Sequence, residues 1–193
     1  RGMSMRIRLE DYAIHNAMED MADQAIEQVL SEDRTACDCP DCRDDVKSQI
    51  LNKVPPFYHP LISGEPRRQS IMLEDLATDL FNKIMVECYK ALIRVKENPR
   101  HSDDRSELHN TTERILRLAV GEVLSNQKVH LDRDDLSRLM SGALNGLKPA
   151  YTTTHKGDAF TRASEIDTAY LAQVYSEIFK ALDGLKGNDA QTS

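Results

Sequence analysis

Hydrophobic positions in the first half of the chain recur at helical spacing in three stretches. They are most regular from Ile14 to Val29 and from Leu73 to Val95, where one face of each helix would be apolar. A shorter helix is predicted from about Asp44 to Leu51, ending before Pro55 and Pro56. The segment 57–68 contains proline and glycine and is predicted to be extended or looped. Runs of Val, Ile and Thr are scarce, so the predicted fold class is mainly α.

The second half repeats this pattern, with helices predicted near 108–124, 134–144 and 165–184. His15-Asn16-x-x-Glu19 returns as His109-Asn110-x-x-Glu113, 94 residues later. Three further matches follow in the same order: Leu51-Asn52 with Leu144-Asn145, Tyr58 with Tyr151, and Lys90-Ala91-Leu92 with Lys180-Ala181-Leu182. An ordered series of this kind indicates a duplicated structural unit.

We therefore divide the chain into repeat 1, residues 8–98, and repeat 2, residues 106–188. The segment between them is polar and charged and contains Pro99, as is typical of a linker. An amphipathic three-helix unit leaves part of its apolar surface uncovered, so we expect the repeats to pack together as an internal pseudo-dimer. The sequence does not decide whether two such chains also form a homodimer.

The amino-acid composition and net charge limit the classes of function that the protein could have. Hydrophobic residues make up 40% of the 193 residues and aromatic residues 5%, so Leu, Ile, Val, Met and Ala must fill the core. The net charge is −7 and neither half is basic, which argues against binding long DNA or RNA. No apolar run approaches the ~18 residues that span a bilayer, and no hydrophobic signal region is present. The expected location is therefore cytoplasmic, where cysteines stay reduced.

Three of the four cysteines are clustered. Cys37-x-Cys39-x-x-Cys42 places three thiols within six residues around Pro40, a pattern that suits tetrahedral zinc. The remaining cysteine, Cys88, lies on the predicted third helix of repeat 1 and is the expected fourth ligand. The alternative is that Cys88 is a small core residue, with His59 as the reserve ligand.

Repeat 2 lacks this motif. His130, Asp132 and Asp135 stand where the three thiols would be, and Ile178 stands where Cys88 would be. We expect this set to be a decayed, metal-free site, so that the chain holds one structural Zn²⁺.

These motifs together resemble the late competence development protein ComFB family. The resemblance covers residues 14–92 and rests on Asn16-x-x-Glu19, on the cysteine motif followed by Arg43-Asp44-Asp45-Val46, and on the run from Ile50 to Tyr58. Repeat 2 is similar only in its helix pattern, Asn110, Glu113 and the stretch 144–151. The resemblance implies small, helical, dimeric proteins whose zinc is held by the three-cysteine motif and a cysteine on the last helix. It also implies links to competence, type IV pili and motility, and, for some members, cyclic di-GMP as ligand.

No catalytic arrangement stands out, so we expect a non-enzymatic protein. The first hypothesis, implied by the resemblance, is a signalling receptor that binds a cyclic di-nucleotide where the repeats meet. Such a ligand needs side chains that pair with phosphate or stack on guanine. The candidates are Arg43, Lys53, Tyr58, Arg67, Arg68, Arg133, Lys148, Tyr151 and Arg162. The second hypothesis is a helical scaffold without a small ligand, which binds a protein of the pilus, competence or motility machinery.

Overall fold

A computed structural model describes residues 5–69, 71–101, 103–164 and 167–191, with side chains except at 160–164 and 188–191. The chain is 63% helical. Within the described ranges, repeat 1 contributes α1 (Ala17–Glu32), α2 (Pro40–Leu51) and α3 (Thr78–Glu97). Repeat 2 contributes α4 (Thr111–Gln127), α5 (Arg133–Asn145), α6 (His155–Ser164) and α7 (Thr168–Gln191). The mainly α fold is confirmed, and α6 is a helix that the sequence pattern did not predict.

Each repeat has one short antiparallel strand pair, whose first strand precedes the repeat's first helix and whose second strand follows its second helix. β1 (Ile14–Asn16) pairs with β2 (Tyr58–Pro60), and β3 (His109–Asn110) pairs with β4 (Tyr151–Thr152). The sequence analysis placed residues 14–16 in a helix and 58–60 in a segment that is extended or looped, and the structure shows the extended form at 58–60. Asn16 has an extended backbone and caps α1 by accepting from the amide of Met18, so the helix begins only at residue 17.

The ends of two other helices differ from the sequence prediction for equally local reasons. α2 begins at Pro40, four residues before the predicted Asp44, because proline is favourable in a first turn and Cys39 provides the cap. α3 begins at Thr78 because a separate 3₁₀ turn, Leu73–Asp75, precedes it. Leu73 is buried in that turn, which explains why it fits the apolar periodicity.

Each repeat builds its own hydrophobic cluster and receives a tyrosine from the other. Tyr151 of repeat 2 lies in the cluster formed by α1, α2 and α3, and Tyr58 of repeat 1 lies in the cluster formed by α4, α5 and α7. Strand β2 packs against α5, and β4 packs against α2. The prediction of two tandem repeats packed as an internal pseudo-dimer is therefore confirmed.

The segments that lead into the repeats also cross over. We call residues 5–13 the N-terminal arm and the described residues 99–101 and 103–108 the connecting arm. Ile7 and Tyr12 of the N-terminal arm are buried in the cluster of repeat 2, whereas Leu108 of the connecting arm packs against the cluster of repeat 1. Each arm thus lies on the repeat to which it does not lead.

In the parts of the chain that the structure describes, no helix combines the length and apolar character needed to cross a lipid bilayer.

Candidate functional site

Three thiols and one imidazole meet at the start of α2. The ligand atoms of Cys37, Cys39, Cys42 and His101 all lie within 4.8 Å of one another. His101 Nε2 is 3.8, 3.3 and 3.1 Å from the three Sγ atoms in that order. A tetrahedral zinc ion with its usual Zn–S and Zn–N bond lengths would set these separations at about 3.6 Å. The four side chains therefore fit a single metal ion, and three cysteines with one histidine are a common structural zinc set.

Local structure explains how the thiols converge. Cys39 is the N-cap of α2, its Sγ accepts from the amide of Cys42 at 3.4 Å, and Pro40 begins the helix. Cys42 is buried and Cys37 is exposed. Burial, then the hydrogen bonds that its thiol donates to Cys39 and Cys37, raise the pKa of Cys42 to about 12, whereas hydrogen bonds donated by Cys39 and Cys42 lower the pKa of Cys37. Metal binding must therefore displace a firmly held proton from Cys42.

The structure places His101 beside the thiols, in the position that the sequence analysis gave to Cys88. Cys88 is buried in the cluster of repeat 1, where burial raises the pKa of its thiol to about 11. It therefore packs as a small apolar residue outside the ligand group. His59, the reserve ligand, instead packs edge-on against His15 with ring centroids 5.5 Å apart. His101 escaped sequence analysis because it lies 59 residues from Cys42, in the connecting arm.

The residues that replace the thiols in repeat 2 have structural partners. Asp132 caps α5, with its carboxylate accepting from the amide of Asp135 at 2.8 Å. The carboxylate of Asp135 pairs with Arg138 at 3.0 Å. These contacts give both aspartates a role that requires no metal.

A second group of polar side chains is buried where the repeats meet. The hydroxyls of Tyr58 and Tyr151 lie 3.1 Å apart, although each tyrosine is only 6% exposed. Asn110 donates to the Tyr58 hydroxyl at 2.8 Å, and Asn16 donates to the Tyr151 hydroxyl at 2.9 Å. Tyr151 in turn donates to Glu19 at 3.2 Å. We call these five residues the tyrosine network.

Backbone clamps hold the two tyrosines in place. The amide side chain of Asn145 bonds both the N–H and the C=O of Tyr58, at 2.6 and 2.9 Å. Asn52 bonds the N–H and the C=O of Tyr151 in the same way, at 2.6 and 3.0 Å. The asparagine at the end of each second helix therefore binds the strand of the other repeat. Tyr58 and Tyr151, which the sequence analysis assigned to a ligand, lie in the interface between the repeats, and Tyr151 also lines a surface groove together with Lys53 and Lys148.

Glu19 ends this network as a half-buried carboxyl group. Burial raises its pKa, and this effect outweighs the attraction of Lys47 and the hydrogen bond from Tyr151. In the unfolded chain the pKa would be about 4.3. The folded state therefore binds the proton more tightly, and the stability of the protein falls as pH rises from the unfolded pKa through the folded pKa.

Glu19→Gln is therefore expected to stabilise the protein at neutral pH, because the amide oxygen still accepts from Tyr151 and carries no buried charge. The gain should shrink as pH falls toward 5. Urea unfolding of both proteins at pH 5 and pH 7.5, with zinc saturating, measures the difference. A difference that is the same at both pH values, or that grows toward acid, would contradict the buried-carboxyl explanation.

Two surface grooves contain the other candidate ligand residues. The arginine groove, of about 300 Å³, is lined by His15, Phe57, His59, Arg67 and Arg68, among others. His15 pairs with Asp20 at 2.8 Å, and burial, together with the nearby His15 and Arg68, lowers the pKa of His59.

The lysine groove, of about 660 Å³, is lined by residues of both repeats, including Lys53, Lys148 and Tyr170. Two more candidates lie elsewhere: Arg43 is paired with Asp38 and Glu27, and Arg133 is exposed at the start of α5. The side chain of Arg162 lies outside the described part of the structure. The structure thus separates the candidates instead of gathering them at one site.

Comparison with known protein families matches residues 15–99 and 109–189 to "Late competence development protein ComFB". No curated protein and no solved structure gives a significant match. The two matched segments coincide with the two helical units, and together they cover most of the chain. The chain therefore belongs to the late competence development protein ComFB family and carries two copies of the family's domain.

Proposed function

We propose that this protein is a non-enzymatic regulatory module that holds one structural zinc ion and binds a cyclic di-nucleotide, such as cyclic di-GMP, in the arginine groove. Family membership and the cysteine–histidine cluster support a competence-related regulatory protein. The observation that carries the ligand assignment is the pair Arg67 and Arg68 beside an aromatic ring, Phe57, that is 46% exposed.

The groove chemistry suits a nucleotide with a phosphodiester. A guanidinium group can bind two phosphate oxygens at once, and either it or the Phe57 ring can stack on a purine. Among the described residues, neither Arg67 nor Arg68 forms an ion pair, so both charges are available. The volume of about 300 Å³ is at the lower end of ligand pockets, so one nucleotide unit would be enclosed and the other would lie along the open side.

Calorimetric titration with cyclic di-GMP and cyclic di-AMP tests this assignment. The ligand control is GMP, a mononucleotide that has the guanine base but lacks the phosphodiester ring. Arg67→Gln and Arg68→Gln should each weaken binding by about 10-fold or more, the cost of losing a charged hydrogen bond. Arg43→Gln is the control variant, because its guanidinium is paired with Asp38 and Glu27, and it should bind as tightly as the wild type.

Two outcomes would contradict the proposal in different ways. Loss of binding in Lys53→Gln and Lys148→Gln, but not in the arginine variants, would move the ligand to the lysine groove. No heat and no thermal stabilisation with either cyclic di-nucleotide at millimolar concentration would remove the receptor function altogether.

The scaffold hypothesis has one observation in its favour. Val86, Tyr89 and Ile93 of α3 are 48%, 45% and 56% exposed and follow one another at helical spacing. Such an apolar stripe is typical of a surface that contacts another protein. If the ligand titrations fail, a protein partner of the pilus, competence or motility machinery becomes the better proposal.

A further inference from the structure

We infer that the metal ion joins the two repeats, because the connecting arm supplies its fourth ligand and metal binding holds that arm on repeat 1. The cysteines belong to repeat 1, whereas His101 lies in the arm that leads into repeat 2. This inference is independent of any nucleotide bound in the arginine groove.

The position of His101 in its arm has a counterpart in the N-terminal arm. Ile7 precedes His101 by 94 residues, the same spacing that relates His15 to His109. Ile7 is buried in the cluster of repeat 2, so it fastens the N-terminal arm by apolar contact. His101 is exposed and has no such contact, but it faces three thiols of the opposite repeat. At equivalent positions, Ile7 therefore holds the N-terminal arm by apolar packing, and His101 holds the connecting arm as a metal ligand.

A second set of contacts anchors the connecting arm next to the metal cluster. Asp45 lies three residues after Cys42 in α2 and is buried. Its carboxylate accepts from Arg105 of the arm at 2.8 Å and from Thr153, just after β4, at 2.9 Å. The amide of Ser106 also donates to the carbonyl oxygen of Thr153 at 2.7 Å. The first turns of α2 therefore bind the arm at two adjacent points, the thiol cluster and Asp45.

These two points have different consequences for the chain. The ion pair of Asp45 with Arg105 is largely buried, and coordination by Cys42 and His101 would in addition close a loop across 59 residues that contains most of α2 and all of α3. Apart from the contacts of His101 with the thiols, the described residues 99–101 are held by the hydrogen bond from Arg105 to the Arg100 carbonyl, with the Asn98 amide bonded to Arg94 beside them. We therefore expect metal loss to release this part of the arm first, while the helices of both repeats stay folded.

Hydrogen exchange of the full chain, with and without zinc, tests this expectation. Zinc removal should speed exchange of the amides of Arg100 and His101 by at least about 10-fold and leave α4 and α5 protected. His101→Ala should reproduce the fast exchange even with zinc added, and should weaken zinc binding by at least about 100-fold, the upper end of the loss seen when only an outer-shell partner is removed. Cys88→Ala is the matched control and should bind zinc as the wild type does.

His101→Cys keeps the inference testable if His101→Ala fails to fold. In the cobalt-substituted protein, this variant should retain the metal and shift the ligand-field bands to longer wavelength, because thiolate replaces imidazole. Unchanged cobalt bands would overturn the assignment of His101. Equal exchange of the arm with and without metal would overturn the coupling, and loss of zinc in Cys88→Ala with wild-type affinity in His101→Ala would return the fourth ligand to Cys88.

Discussion

Chelation of the metal is expected to cause the largest loss of stability that can be produced without changing the sequence. A metal that binds only the folded state at 1,000 times its dissociation constant contributes about 4 kcal/mol to the free energy of unfolding. For a chain of this size, 1 kcal/mol corresponds to about 2–4 °C, so the melting temperature should fall by roughly 8–16 °C. Metal analysis of the purified protein should give close to one zinc per chain.

Two variants separate metal binding from ordinary packing. Cys39→Ser should lose both zinc and most of the chelation effect, because it removes one of the proposed ligands, whereas serine is a favourable N-cap and keeps the start of α2. Cys88→Ala should lower the melting temperature through the cavity it leaves, yet retain full zinc content. Two zinc ions per chain would show that His130, Asp132 and Asp135 hold metal after all. Zinc-free protein with unchanged stability would mean that the thiol cluster holds no structural metal.

The sequence predicted those features that depend on local order along the chain. The duplication could be recognised because Asn16, Asn52 and Tyr58 recur as Asn110, Asn145 and Tyr151 in the same order. The three thiols were recognisable because they lie within six consecutive residues of the sequence. Only β2 fell in a segment predicted to be extended or looped, and no strand was identified as such, because two or three residues are too few to show a period of two. Helix α6 was missed because Gly157 and the preceding threonines resemble a loop.

The remaining differences arise from contacts between the repeats, which no local pattern encodes. His101 comes within reach of the three thiols only because the connecting arm lies on repeat 1. Tyr58 and Tyr151 were identified as important but assigned to a ligand, since a tyrosine after a proline gives no sign of the surface that will bury it. Their hydrogen-bond partners lie far away along the chain: Asn110, Asn145 and Tyr151 for Tyr58, and Asn16 and Asn52 for Tyr151.

The tyrosine network makes a second prediction of large effect, in which Tyr151→Phe costs more stability than Tyr58→Phe. Tyr151 donates its proton to Glu19, so Tyr58 must donate to Tyr151, and the chain of hydrogen bonds runs from Asn110 through both tyrosines to Glu19. Removing the Tyr58 hydroxyl takes the acceptor from Asn110 and one donor from Tyr151. Removing the Tyr151 hydroxyl takes a partner from Tyr58, Asn16 and Glu19 together.

Each group left unsatisfied in a buried site costs about 1–3 kcal/mol. Tyr58→Phe is therefore expected to lose about 1–3 kcal/mol, and Tyr151→Phe more than that. Tyr58→Ala should lose a further amount of about 3–5 kcal/mol, because it also removes the ring from the cluster of repeat 2. Tyr89→Phe is the matched control: its ring is 45% exposed, its hydroxyl bonds Glu32 at the surface, and the change should stay within about 0.5 kcal/mol.

A double-mutant cycle decides whether the hydroxyls act as one unit across the interface. Because Tyr58 and Tyr151 belong to different repeats and bond each other directly, the double Phe variant should differ from the sum of the single variants by about 0.5–3 kcal/mol. Urea unfolding at fixed, saturating zinc keeps the metal from contributing to the difference. If the two changes add to within about 0.3 kcal/mol, the hydroxyls stabilise each repeat separately. In that case the asparagine clamps, which bond the backbone rather than the hydroxyls, would be what holds the repeats together.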